Sequence, residues 1–154
     1  MSVPLIRLAH PNEFDEVARV WMESWVSTGL EDASNYLLAS LRARLRREIE
    51  NGWSLFVAED RGTIAAMLAL HRSKRYLEQL FVAPAHQGRS LGKQLLAFTR
   101  TQLPDEICLR CVRENEKAWR WYEREGFLFE KEERNPITGF MMKHYRWKKQ
   151  GGAS

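Results

Sequence analysis

Apolar residues recur along this chain with two periods, and the switches between them divide it into elements. Val3 to Leu8 alternates with a period of two, which predicts a first strand, closed by the turn residues His10, Pro11 and Asn12. Phe14, Val17, Ala18, Trp21 and Trp25 then return at steps of three and four, the spacing of one helix face, with Asn12 placed to cap that helix. Beyond Gly29, Glu31 and Asp32 a second helix is predicted over 33–50, carrying Leu37, Leu38, Leu41, Leu45 and Ile49 on one side and ending at Asn51 and Gly52. Trp53 to Glu59 and Thr63 to His71 read as two strands of a hairpin turned at Asp60, Arg61 and Gly62. The next strand starts at Tyr76. Simple alternation puts Leu77, Gln79 and Phe81 on one of its faces and Glu78, Leu80 and Val82 on the other, and Pro84 stops it. Leu91, Leu95, Leu96 and Phe98 then fall at roughly helical spacing. After Pro104, Glu106 to Val112 reads as a strand. Asn115 to Glu125 reads as a helix with Ala118, Trp119 and Tyr122 on one face and Gly126 as its left-handed stop. Phe127 to Glu133 and Met141 to Trp147 are the last predicted strands, separated by a turn at Asn135 to Gly139.

A chain of 154 residues with 44% hydrophobic residues supports one folded domain, expected over 1–149, followed by a flexible tail at 150–154. No run reaches the roughly twenty apolar residues of a membrane span, and the first residues lack a basic segment followed by an apolar core. The expectation is a cytoplasmic protein without a membrane partner. The net charge is +4, yet Arg42, Arg44, Arg46 and Arg47 share one predicted helix, while Glu130, Glu132 and Glu133 gather elsewhere. A solvated helix face accounts for the arginines. No aromatic platform or nucleic-acid motif accompanies them, so no nucleic-acid partner is expected. Cys108 and Cys111 form a lone C-x-x-C, with no second cysteine pair and no matching histidine pair among His10, His71, His86 and His144. On a strand their sulfurs would point to opposite faces, which reads as structural thiols and no metal site.

The chemistry gathers where the Tyr76 strand gives way to the next helix. Gln87, Gly88, Arg89, Ser90, Leu91, Gly92 and Lys93 form a short polar loop with two glycines at a helix N-terminus, where backbone N–H groups and the helix dipole favour a phosphate. A nucleoside-triphosphate loop would need four residues between its glycines and a Ser or Thr after the lysine. Here three intervene and Gln94 follows Lys93. The turn, spacing and later acid of a dinucleotide fingerprint are absent as well. The stretch instead resembles the acetyl-CoA loop of the GNAT superfamily of N-acetyltransferases, in which Gln or Arg is followed at fixed spacing by two small residues. Gln87, Ser90 and Gly92 hold those positions, with Ser90 standing where glycine is usual. Asn115 to Phe127, NEKAWRWYEREGF, is similar to the second signature of the same family: Asn, two residues, Ala, three residues, Tyr, and a helix end at Gly and Phe.

That resemblance spans nearly the whole chain and implies an α/β fold of one domain. Its sheet would be central, mostly antiparallel and seven-stranded, with one splayed parallel pair and about four flanking helices. It implies acetyl-CoA as cosubstrate, no metal, and transfer of an acetyl group to a primary amine by a monomer or homodimer. Backbone groups of Leu80, Phe81 and Val82 would meet the pantetheine arm, and those from Gln87 to Lys93 the pyrophosphate. Asn115 would bond the arm and Ala118 leave it room. Tyr122 would protonate the departing thiolate, since a thiol near ~8.5 and a tyrosine near ~10 exchange a proton almost in balance. Glu78 is the candidate base, directly or through a water, and the Val82 N–H the candidate oxyanion donor. Trp25, Ser27 and Thr28 are the candidate acceptor mouth. Small polyamines, amino acids, drugs and protein amines all remain open as acceptors. An acyl-CoA-binding regulator with little catalysis is the competing reading, against which the presence of both Glu78 and Tyr122 weighs.

Overall fold

One sheet carries every strand of the computed structural model, which describes residues 3–29, 38–88 and 90–150. The strands are Leu5–Leu8 (β1), Trp53–Asp60 (β2), Thr63–His71 (β3), Tyr76–Val82 (β4), Glu106–Val112 (β5), Leu128–Arg134 (β6) and Met141–Lys148 (β7), in the spatial order β1-β2-β3-β4-β5-β7-β6. Every neighbouring pair is antiparallel except β4 and β5, which run parallel. The helices are Phe14–Ser27 (α1), Leu38–Glu50 (α2), Leu91–Gln102 (α3) and Glu116–Arg124 (α4). The fold is the mixed α/β architecture expected from the two signatures. Residues 33–37 of the predicted second helix lie outside the described residues.

Two apolar layers sandwich the sheet. Val17, Trp21, Leu41 and Leu45 of α1 and α2 pack on Leu55, Val57, Met67 and Ala69. On the other face Leu91, Leu95 and Leu96 of α3 pack on Phe56, Leu68 and Leu70, and continue to Leu109, Tyr122 and Phe127. Because β2 and β3 are buried on both sides, their sequences are near-continuous apolar runs instead of strict alternations. Truncating a fully buried side chain such as Leu95 to alanine costs about 2–5 kcal/mol.

Two local expectations are corrected. Asn12 does not cap α1: Pro11–Glu13 forms a short 3-10 turn ahead of it, and Glu13 accepts from the His10 N–H at 2.8 Å. Simple alternation also fails on β4. Ala69 pairs with Gln79 and Leu70 with Leu77, so Glu78 is an extra residue in a β-bulge. The bulge moves Leu77 into the layer beneath α3 together with Leu80 and Val82, while Phe81 faces α1.

The end of α4 is fixed from α3. Gly126 has φ +97° and the Phe127 N–H donates to the Tyr122 carbonyl at 3.0 Å, the left-handed stop read from the sequence. The Arg100 guanidinium lies 5.0 Å from the Trp147 ring centroid and donates through Nη2 to the Glu125 carbonyl at 2.6 Å. A cation is thus placed on the negative end of α4.

Candidate active site

β4 and β5 touch only at their beginnings. Tyr76 pairs with Cys108, the Cys108 N–H donates to the Arg75 carbonyl at 2.9 Å, and no further pairing joins the two strands. Each is held from its outer side, β4 by β3 and β5 by β7 over its whole length, so the neighbouring ladders fix the divergence. The opening is a cavity of about 150 Å³ lined on its two sides by Leu80 and Leu109. The Ala83 N–H donates to Ala65 of β3 at 2.8 Å, and the alternation of an antiparallel ladder then turns the main chains of Leu80 and Val82 toward the opening and that of Phe81 toward β3. Of the three residues expected to offer backbone groups to an arm, two therefore face the gap. The Val82 carbonyl accepts the Ser24 hydroxyl and the Gln87 side-chain amide, each at 3.1 Å.

The glycine loop lies between the end of β4 and the start of α3. Gly88 has φ +82° with open space where a Cβ would sit, so the loop leaves room for close approach of a ligand to its backbone. Ser90 is left-handed, φ 62° and ψ 13°, and its carbonyl accepts the Gln94 N–H as α3 begins. This conformation explains why glycine is usual there. The Ser90 side chain makes no capping bond, so the first N–H groups of α3 are not met by it. Lys93 pairs with Glu125 at 3.6 Å. A Cβ on Gly92 would meet the Trp121 ring at 3.5 Å, an ordinary contact. Arg89 lies outside the described residues. Exposed N–H groups at the positive end of a twelve-residue helix, beside an open glycine, fit a pyrophosphate.

Tyr122, Glu78, Asn115 and Ala118 all line the same cavity. Tyr122 is buried, its ring set against Trp121 at 4.9 Å and Phe127 at 5.4 Å. Burial, with a smaller contribution from Cys111, pushes its pKa well above the ordinary value near 10. Tyr122 is therefore a weaker acid than a free tyrosine, and its proton passes to a sulfur only where the same desolvation also disfavours the thiolate. Burial pushes the Cys111 thiol up to about 12 and raises Cys108 as well, so neither is a ready nucleophile. Asn115 stands at the start of α4 without a side-chain capping bond, its carbonyl accepting from Ala118 and Trp119. Glu78 is the extra residue of the bulge, and both it and Gln79 line the cavity.

The residues expected to form an acceptor mouth are brought to the cavity only in part. Trp25 lines the cavity, with the Phe140 ring edge-on at 6.4 Å. Ser27 and Thr28 do not line it; their hydroxyls donate back to the carbonyls of Ser24 and Trp25 at 2.7 and 2.6 Å as α1 ends. Ser24, Trp21, Arg44, Arg110 and Phe140 were missed. The helical stripe shared by Trp21 and Trp25 was a signal for the first two; nothing local in the sequence points to the others, Arg44 arriving with α2, Arg110 through sheet pairing and Phe140 on the β6–β7 turn. Among the described residues no group of three or more His, Cys, Asp or Glu is placed to hold a metal ion, and no helix is long and apolar enough to cross a membrane.

Comparison with known proteins agrees with this geometry. A family model described as an acetyltransferase (GNAT) domain matches residues 26–148. The chain is 24% identical over 123 residues to the peptidyl-lysine N-acetyltransferase YiaC of Escherichia coli, covering 80% of this chain and 82% of that one. An acetyltransferase from Thermus thermophilus superposes with a TM-score of 0.79 at 19% identity, covering 96% of this chain and 97% of the other. The PaiA N-acetyltransferase of Thermoplasma acidophilum, solved in complex with coenzyme A, superposes with a TM-score of 0.69 at 21% identity, covering 96% and 99%.

Proposed function

The chain belongs to the GNAT acetyltransferase family and uses acetyl-CoA as acyl donor, and from that premise we propose that it acetylates a primary amine in the opening between β4 and β5. The observation that carries this reading is the single Tyr76–Cys108 pair. It leaves two strands apart over a cavity, and β4, which forms one side of that cavity, runs on into the glycine loop and the N-terminus of α3. Acetyl-CoA supplies a thioester, whose carbonyl is attacked by a neutral amine. In this reading the main chains of Leu80 and Val82 hold the pantetheine arm, with Asn115 bonding it and Ala118 leaving space. Backbone N–H groups from Gly88 to Lys93 hold the pyrophosphate, and the Gln87 side chain braces the turn through Val82. Lys93, paired with Glu125, contributes its N–H and not its charge.

Glu78 takes the proton of the incoming amine, directly or through a water, from a bulge that turns it into the cavity. The Val82 N–H stabilises the oxyanion, and Tyr122 gives its proton to the departing sulfur in a buried setting that disfavours the tyrosinate and the thiolate alike. Trp25 and Phe140 form the wall against which the acceptor lies. The experiment is a mass-spectrometric screen of an amine library with acetyl-CoA, using the natural sequence and Glu78→Gln. Acetylated products that fall by ~10²-fold or more in the variant support the reading. Tight acetyl-CoA binding with no acetylated product from any amine would contradict it.

A further inference from the structure

The charged groups around the cavity do not pair with one another. Its charged lining residues are Glu78, Arg110 and Arg44, two positive and one negative. Among the described residues none of the three has an ion-pair partner, although most other acids on this half of the sheet do: Glu106 and Glu130 with Arg146, and Glu132 with Arg113. Burial above all makes the Tyr76 hydroxyl less acidic; Arg110 opposes that effect and Glu78 adds to it, so both charges are felt at one side chain. A carboxylate and a guanidinium therefore line the same cavity without lying within ion-pair distance of each other. Arg110 is an exposed residue of β5, opposite His144 of β7. Arg44 lies on the α1 side, its guanidinium 5.0 Å from the Trp21 ring centroid, and the aromatic pair Trp25 and Phe140 shares that wall.

We propose that the acceptor is an amine that carries its own carboxylate, an amino-acid-type molecule whose amino group turns to Glu78 and whose carboxylate is taken by Arg110. This rests on the acetyl-transfer reading above and adds the acceptor class to it. A zwitterion of that kind completes both charges at once. A guanidinium and a carboxylate form the strong, charge-assisted class of hydrogen bond. Arg44 supplies a second positive charge further along the wall, which suits an acidic side chain or an extended acceptor carboxylate. A polyamine is disfavoured by the same arrangement, because its second ammonium enters a cavity whose net lining charge is already positive. A peptidyl lysine carries no carboxylate next to its amine and leaves Arg110 without a partner.

The test measures kcat/KM for acetylation of the standard amino acids and of their carboxamides by the full chain, with acetyl-CoA affinity measured separately. The carboxamide has the less basic amine and so offers more neutral nucleophile, which biases the comparison against the proposal. The expected result is at least one amino acid preferred over its carboxamide by tenfold or more. That ratio falls to near one in Arg110→Gln and is partly kept in Arg110→Lys, with acetyl-CoA affinity and the unfolding midpoint showing that both variants are folded. Carboxamides equal to or better than the acids overturn the proposal. So does a panel in which no amino acid is acetylated while acetyl-CoA still binds, an outcome that leaves acetyl transfer to another amine standing. Absence of acetyl-CoA binding strikes the underlying reading instead.

Discussion

The Ser24 hydroxyl donates to the Val82 carbonyl at 3.1 Å, a bond from the buried face of α1 to the last residue of β4. Gln87 reaches the same oxygen from the loop at 3.1 Å, so helix, strand and glycine turn meet at one atom. Ser24→Ala and Gln87→Ala should each lower unfolding free energy by about 1 kcal/mol. The double variant should lose more than the sum, because the carbonyl then keeps neither partner. Urea unfolding of the four proteins checks this; strictly additive losses would mean the two bonds are independent.

Tyr122→Phe keeps the ring contacts with Trp121 and Phe127 and removes only a hydroxyl. Stability should change by less than about 1 kcal/mol, and acetyl-CoA affinity little, while kcat falls by ~10²-fold or more. Burial favours the neutral phenol, so the natural sequence should show no loss of activity from Tyr122 ionisation below about pH 10. A pH–rate profile of both proteins is the check. Unchanged turnover in the phenylalanine variant would remove Tyr122 from proton transfer.

Ser90 occupies a left-handed conformation that costs an L-residue about 1–2 kcal/mol and glycine almost nothing. Ser90→Gly should therefore raise the unfolding free energy by up to about 1 kcal/mol, less than the full strain because glycine also gains freedom in the unfolded chain. Gly88→Ala, at φ +82°, should lower it by a similar amount although no atom stands in the way of the added methyl. Thermal unfolding of both variants tests the sign of each change.

Most of the elements were legible because their causes are local. The stripe from Phe14 to Trp25, the glycine stop after α4 and the apolar runs of β2 and β3 each follow from neighbours in sequence. The two signatures pointed to the turn between β4 and α3 and to α4, whose Ala118 and Tyr122 line the cavity. The bulge at Glu78 was not legible, because it arises from how β4 meets β3, and it changed which side chains share a face with Leu77. Asn12 was misread because Pro11 starts a turn of its own. Ser27 and Thr28 matched a polar mouth by type, but hydroxyls in the last turn of a helix readily bond its own carbonyls. Arg110 and Phe140 reach the cavity only through long-range pairing and the final hairpin.

Acid stability should depend on Glu13. Its carboxylate accepts from Arg7 at 2.9 and 2.8 Å and from the His10 N–H, and the Arg7 hydrogen bonds hold its pKa down at about 2 against an ordinary value of 4.5. A depressed carboxylate contributes stability that is complete above the unfolded value and is lost as pH falls from about 4.5 toward 2. Glu13→Gln should cost about 1–2 kcal/mol at pH 7, allowing for partial solvent exposure, and should flatten the stability curve across that acid window. Unfolding midpoints across that window test it; parallel curves for the two proteins would assign the stability to other groups.

The most direct measurement is backbone amide hydrogen exchange with and without acetyl-CoA. Entry of the cosubstrate between β4 and β5 predicts new protection at Leu80 and Val82 and along the turn into α3, at Gly88 and from Leu91 to Lys93, with β1 and β6 unchanged. Binding without protection at these amides, or protection confined to another surface, would contradict the placement of the thioester beside Tyr122 and Glu78.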